Sequence, residues 1–109
     1  MARVVLANFD AETAAQLIQL LQRNRHSATQ LPTAAFDLDG STIGQVSCDL
    51  IILDVSCDDC ATRAVLTEIL RRRAESGLRP MLLCVTRAYR GPRYECDLER
   101  KGARLAYVS

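Results

Sequence analysis

Short apolar segments recur along the chain and predict the strands of a sheet. Arg3–Ala7, Asp49–Asp54 and Pro80–Thr86 are rich in aliphatic residues and too short for helices of ordinary length. Continuous apolar character without alternation is typical of strands that are buried on both faces of a parallel sheet. His26–Leu31 predicts a weaker strand, and Leu105–Val108 predicts a short last strand.

Amphipathic segments separate these strands and predict three helices. Ala11–Asn24 has apolar residues at helical spacing, and Asp10 stands directly before it as a helix N-cap. Ala61–Glu75 is followed by Gly77, which is a typical helix stop. Pro92–Lys101 begins with proline, the residue most compatible with a first helical position.

The order of these elements predicts an α/β fold. Strands and helices alternate in a way that is typical of a doubly wound parallel sheet in three layers, α/β/α. The 109 residues are expected to form one domain, 1–109. Ligands of open α/β sheets gather at the carboxyl ends of the strands, and Asp54 ends the most apolar strand. Asp54 is therefore the first candidate functional residue, although aspartate at a strand-to-helix turn is also a common cap.

Composition excludes several classes of function. A formal net charge of +1 gives no general case for binding nucleic acid or a membrane surface. The apolar part of Met1–Leu6 is too short for a signal peptide, and no apolar run reaches transmembrane length, so we expect a cytoplasmic protein. The five cysteines are an odd number, and Cys48 and Cys84 stand in strand-like contexts where small buried hydrophobes are expected.

Four segments occur in an order and at spacings shared with one protein family. They are Arg3–Ala7, Asp49–Asp54, Leu82–Thr86 and Gly102–Val108. Together they resemble the receiver domain of two-component response regulators, the CheY-like domains, and the resemblance covers nearly the whole chain. It implies a flavodoxin-like fold with five parallel strands.

The resemblance also implies roles for individual residues. Asp54 matches the aspartate that accepts a phosphoryl group, and Thr86 matches the switch hydroxyl. The carbonyl group of Ser56 matches the main-chain ligand of a magnesium ion, for which Asp54 and Asp10 are the candidate carboxylates. The implied function is a phosphorelay signalling module rather than an enzyme. Its implied partner is a histidine kinase or a phosphotransfer protein.

The chain departs from the family pattern at several positions. The acidic pair that holds Mg²⁺ in the family is replaced by Asn8 and Phe9, and Asp10 comes one residue later. The family's lysine would fall at about Ser109. The family's fifth helix is missing, so one face of the sheet is expected to be poorly covered unless a homodimer or a further segment covers it. These departures make a phosphorylation-independent pseudo-receiver the main alternative.

Two further motifs suggest other chemistry. Cys57 and Cys60 form a Cys-x-x-Cys pair between a strand and a helix, which is the placement of thiol-redox pairs. The intervening Asp58 and Asp59 would raise the pKa of a thiol there and so disfavour that function. Phe36–Thr42 resembles the opening motif of haloacid-dehalogenase-type phosphatases, but an acidic loop is the simpler interpretation.

Overall fold

A computed structural model describes residues 2–30, 48–56, 60–75, 77, 81–89 and 91–107. The bounds of the strands and helices within them are β1 Arg3–Ala7, α1 Ala11–Arg23, β2 Ser27–Gln30, β3 Leu50–Asp54, α2 Cys60–Glu75, β4 Met81–Thr86, α3 Pro92–Arg100 and β5 Ala103–Tyr107. A helix follows three of the five described strands, β1, β3 and β4.

The strands form one parallel sheet in the order β2-β1-β3-β4-β5. Leu6 of β1 lies beside Ile52 of β3, and Ile52 lies beside Leu83 of β4. The chain order reverses between β1 and β3, and this is where open α/β sheets bind their ligands. The prediction of a doubly wound, five-stranded parallel sheet is confirmed.

The last strand begins two residues earlier than its apolar pattern indicated. Ala103 already pairs with Leu82 of β4 and is 2% exposed, so burial and pairing extend β5 beyond the aliphatic residues. The positive φ of Gly102, 83°, provides the turn from α3 into this strand. Val108 and the predicted loop Phe36–Val46 lie outside the described residues.

The two faces of the sheet have separate apolar cores. The α2–α3 face packs against helices α2 and α3 in a cluster formed by Val5, Ala7, Ile51, Leu53, Val55, Val65, Ile69, Leu82, Cys84, Leu98 and Ala103. The α1 face packs against helix α1 in a smaller cluster of Val4, Leu6, Phe9, Ala14 and Val85. Because side chains alternate along a strand, β1, β3, β4 and β5 each contribute to both cores.

Local signals in the sequence position the helix starts. Asp10 caps α1 as predicted, since its side chain accepts a hydrogen bond from the main-chain N–H of Thr13. Gly91 precedes α3 with a φ of 85°, and Pro92 occupies the first turn. No helix among the described residues is long and apolar enough to cross a membrane.

We predict that adjacent residues of β3 differ sharply in their contribution to stability. Ile51 is 2% exposed and Ile52 is only half-buried. Ile51→Ala should lower the free energy of unfolding by about 3 kcal/mol, and Ile52→Ala by about 1 kcal/mol, because only the first leaves a closed cavity. Urea unfolding at low protein concentration measures both values. Equal losses of unfolding free energy in the two variants would contradict the difference in burial between the two faces of the sheet.

Candidate functional site

Asp54 stands at the carboxyl end of β3, at the reversal point of the sheet. Its Oδ1 accepts a hydrogen bond from the main-chain N–H of Ser56 at 2.9 Å. This hydrogen bond fixes the carboxylate on the turn that follows β3. Asp54 is half-buried, so solvent and a ligand can both reach it.

Asn8 joins the carboxyl ends of the two central strands. Its side-chain Nδ2 donates to the main-chain carbonyl of Asp54 at 2.9 Å and to Oγ1 of Thr62 in α2 at 3.2 Å. Its φ of 67° turns the chain out of β1, a conformation that asparagine tolerates better than most residues. In the sequence, Asn8 is notable only as a position where the family has a carboxylate. The structure shows that its side chain donates hydrogen bonds to both β3 and α2.

The side chains of the two residues after Asn8 contact the core of the α1 face and the first turn of helix α1. Phe9 is 6% exposed in the core of the α1 face. Asp10 accepts hydrogen bonds from the main-chain N–H of Thr13 at 2.7 Å and from the Thr13 hydroxyl at 3.0 Å. These bonds, with a smaller contribution from the charge of Arg87, lower the pKa of Asp10. The Asp10 carboxylate therefore serves the start of α1.

Ser56 connects the ends of β3 and β4, and Thr86 holds the turn that follows β4. Thr86 is fully buried, and its hydroxyl donates to the carbonyl of Ala88 at 3.0 Å and accepts from the N–H of Ala88 at 3.1 Å. The hydroxyl of Ser56 accepts a hydrogen bond from the main-chain N–H of Arg87 at 3.0 Å. Asp54, Ser56 and Arg87 are thus joined by hydrogen bonds, and no motif in the sequence singles out Arg87.

A cavity of about 480 Å³ opens beside Asp54 on the α1 face of the sheet. Asp54, Ser56 and Arg87 line its polar end, and apolar side chains of α1 and of strands β3 to β5 line the remainder. The cavity brings Asp54 and Ser56 together with a cation. Thr86 is absent from its lining and lies beneath the surface.

The described donors do not fit a magnesium site. Mg²⁺ requires carboxylate oxygens and waters in near-octahedral geometry. Asn8 donates its amide N–H₂ to the main-chain carbonyl of Asp54, Phe9 has no oxygen in its side chain, and both oxygens of Asp10 accept hydrogen bonds from Thr13. Within the described residues there is no group of three or more acidic, histidine or cysteine side chains that could hold a metal ion.

The four cysteines that the structure describes are free thiols in different environments. Cys84 is fully buried in β4, and burial raises its pKa to about 12. Cys48 is partly exposed, whereas Cys60 and Cys96 are exposed on α2 and α3. Cys57 lies outside the described residues, so the predicted Cys57–Cys60 pair stays a prediction.

Comparison with known proteins gives matches in structure alone. No protein-family model matches the sequence, and no curated protein matches it. The structure is similar to the N-terminal domain of a response regulator receiver protein from Methanoculleus marisnigri JR1, with a TM-score of 0.76 and 11% identity over 100% of this chain and 85% of that chain. It is similar to a protein assigned to pilus assembly from Burkholderia thailandensis E264, with a TM-score of 0.72 and 22% identity over 98% of this chain and 85% of that one.

A third similar structure is the pseudo-receiver domain of the CikA protein, with a TM-score of 0.67 and 15% identity over 100% of this chain and 86% of that domain. The chain therefore has the CheY-like fold of response-regulator receiver domains. This fold is shared by receivers and by a pseudo-receiver, so the chemistry of the site has to be argued from its own residues.

We predict that Asp10 acts as a structural cap whose effect depends on pH. Asp10→Ala should lower the melting temperature, and Asp10→Asn should restore most of it because asparagine is also a good cap. Since the pKa of Asp10 is lowered in the folded state, its stabilisation is present above the ordinary carboxyl pKa and is lost as the pH falls through the lowered value. Thermal melts at about pH 7 and about pH 3 measure this difference. A pH-independent difference between the native and Asp10→Ala proteins would contradict the assignment.

We also predict that Cys84 is chemically inert. With a pKa of about 12, its thiol stays protonated at about pH 8, and its burial excludes reagents. Iodoacetamide should label Cys60 and Cys96 in the native protein and should label Cys84 only after denaturation, which peptide mass spectrometry detects. Labelling of native Cys84 at the rate of Cys96 would rule out this environment.

Proposed function

We propose that this domain is a receiver-type signalling module in which Asp54 accepts a phosphoryl group from a histidine kinase or a phosphotransfer protein. The observation that carries the proposal is the position of the Asp54 carboxylate. It stands at the reversal point of a receiver-type sheet and lines an open cavity with Ser56 and Arg87. A carboxylate is a suitable acceptor because an acyl phosphate is reactive enough to be transient.

The protein contributes to phosphoryl transfer mainly by positioning the reacting groups and by stabilising negative charge. An oxygen of Asp54 forms a bond to phosphorus while the phosphorus–nitrogen bond of the donor histidine breaks, and the histidine leaves with the electron pair. Negative charge spreads over the phosphoryl oxygens, which favours a nearby cation. Arg87 supplies that charge in our proposal, at the polar end of the cavity where Asp54 stands.

Two hydrogen bonds, both made by Ser56, link Asp54 to the main chain of Arg87. The N–H of Ser56 holds Oδ1 of Asp54 at 2.9 Å, and the hydroxyl of Ser56 holds the main chain of Arg87 at 3.0 Å. The charge of Arg87 also contributes to the lowered pKa of Asp10, at the same edge of the sheet. Because the sequence replaces the family's acidic pair and lysine, Arg87 is the cation that we assign to the phosphoryl group.

The conformational change that phosphorylation would cause depends on the hydroxyl of Thr86. It bonds both polar groups of the Ala88 main chain. As the resemblance implies, a phosphoryl group on Asp54 would draw this hydroxyl away and release the Ala88 turn. We propose that the changed segment around Ala88 and Tyr89 is what a partner recognises. Such a module would act in the cytoplasm.

We predict that a small phosphodonor such as phosphoramidate adds one phosphoryl group to Asp54. Intact-mass spectrometry should show the addition in the native protein and its absence in Asp54→Ala. Arg87→Ala should slow the addition by about tenfold to a hundredfold, because removing one charge partner of a transition state costs roughly that much. Arg93→Ala is the matched control, since Arg93 is exposed on α3 outside the cavity beside Asp54.

Two outcomes of that experiment separate the alternatives. No mass gain at Asp54 would overturn phosphorylation and favour the phosphorylation-independent pseudo-receiver, which the amide of Asn8 and the capping role of Asp10 already support. A normal rate in Arg87→Ala would keep Asp54 as the acceptor and remove Arg87 from the site. Thiol redox chemistry at Cys57 and Cys60 stays the third and least supported function.

A further inference from the structure

Two titratable side chains hold the start of β1, at the end of the sheet opposite the candidate site. Nδ1 of His26, the only histidine of the chain, accepts a hydrogen bond from the main-chain N–H of Ala2 at 3.0 Å. Oδ2 of Asp49 accepts a hydrogen bond from the main-chain N–H of Arg3 at 2.8 Å. His26 directly precedes β2 and Asp49 directly precedes β3, so the two acceptors flank β1 on its two sides.

The main-chain carbonyls of the same two residues are bonded as well. The carbonyl of Ala2 accepts from the N–H of Ser27, and the carbonyl of Arg3 accepts from the N–H of Asp49. Each main-chain polar group of Ala2 and Arg3 therefore has a partner, but both N–H groups depend on a side chain. A main-chain carbonyl has no protonation state near neutral pH, whereas an imidazole and a carboxyl group do. Pairing at the start of β1 therefore depends on pH.

The hydrogen bond to His26 requires one protonation state of the imidazole. Nδ1 accepts an N–H only through its lone pair, so the imidazole that bonds Ala2 is neutral and carries its proton on Nε2. A protonated imidazole has N–H donors on both nitrogens and would direct one of them at the N–H of Ala2. Carboxyl groups stay ionised to lower pH than histidines stay neutral. Acid therefore breaks the bond on the β2 side before the bond on the β3 side.

The end of α1 fixes the place of the imidazole. The main-chain N–H of His26 donates to the carbonyl of Leu21 at 2.9 Å, and the φ of Arg25, 63°, directs the chain from α1 toward β2. Because the main chain is held there, His26 has a set position beside Ala2.

The charged residues next to His26 come from three described elements. Arg23 and Arg25 end α1 and the turn after it, Arg3 begins β1, and Asp49 precedes β3. Asp49 bonds Arg3 on the side of β1 away from β2. Within the described ranges no carboxylate is paired with His26, so no existing ion pair offsets the loss of its bond to Ala2.

We propose that His26 is an acid-sensitive clamp between β1 and β2, the strand at one edge of the described sheet. The clamp is closed where the imidazole is neutral, and it opens as the pH falls through the range in which histidine gains its charge, about pH 8 to 5. Four residue pairs, from Arg3–Ser27 to Leu6–Gln30, still join the two strands. Opening therefore loosens the start of the edge strand as a local event and leaves Asn8, at the far end of β1, in place.

A pH titration of the ¹⁵N-labelled native chain, followed by NMR, tests the proposal directly. Between about pH 8 and about pH 5.5, the main-chain N–H signal of Ala2 should shift with the same midpoint as the ring signals of His26. The N–H signal of Arg3 is the internal control and should shift far less, because its acceptor is a carboxylate. An Ala2 signal that does not follow the His26 ring would overturn the proposal.

Two variants provide an independent measurement by thermal melts. His26→Asn retains an acceptor oxygen that does not titrate, whereas His26→Phe retains a ring and removes the acceptor. From about pH 8 to about pH 5.5, the melting temperature of the native chain should fall by about 4 °C more than that of His26→Asn, the effect of one hydrogen bond in a domain of this size. At the lower pH the native chain should approach His26→Phe. Equal falls in the native chain and in His26→Asn would rule out the clamp, and this comparison holds even if His26→Phe does not fold.

Discussion

The side-chain amide of Asn8 holds together the three elements that carry the candidate site. It bonds the last carbonyl of β3 and the hydroxyl of Thr62, so β1, β3 and α2 meet at one side chain. The left-handed backbone of Asn8 also directs the chain from β1 toward the Asp10 cap and α1. Asp54 has its position because the strand end beneath it is tied in this way. A hydrogen-bond donor thus stands where the resemblance would place a carboxylate.

An amide in place of a carboxylate at Asn8 changes the electrostatics at the carboxyl ends of the strands. A site with several carboxylates requires a metal ion to offset their charge, whereas here Asp10 is committed to α1 and Phe9 to the core. Among the described residues lining the cavity, Asp54 is the carboxylate; it is oriented by the N–H of Ser56 and shares the cavity with Arg87. One acid and one cation can interact without a metal ion between them.

The sequence predicts those features of the fold that depend on local patterns of residues. The apolar segments located β1, β3 and β4, and Asp10 was identified as a cap because capping depends on adjacent residues. The start of β5 was missed because pairing with β4, not aliphatic character, extends it to Ala103. The bridging role of Asn8 and the position of Arg87 depend on contacts between residues far apart in the chain, and no spacing in the sequence signals them.

We infer that the amide of Asn8, and not a bound metal ion, organises the edge of the sheet around Asp54. A magnesium titration of the ¹⁵N-labelled protein, followed by NMR, tests it most directly. We expect no saturable shift of the side-chain amide signals of Asn8 or the main-chain N–H of Ser56 as Mg²⁺ reaches millimolar concentration. Saturable shifts of both groups, absent in Asp54→Ala, would show a metal site there and contradict the account.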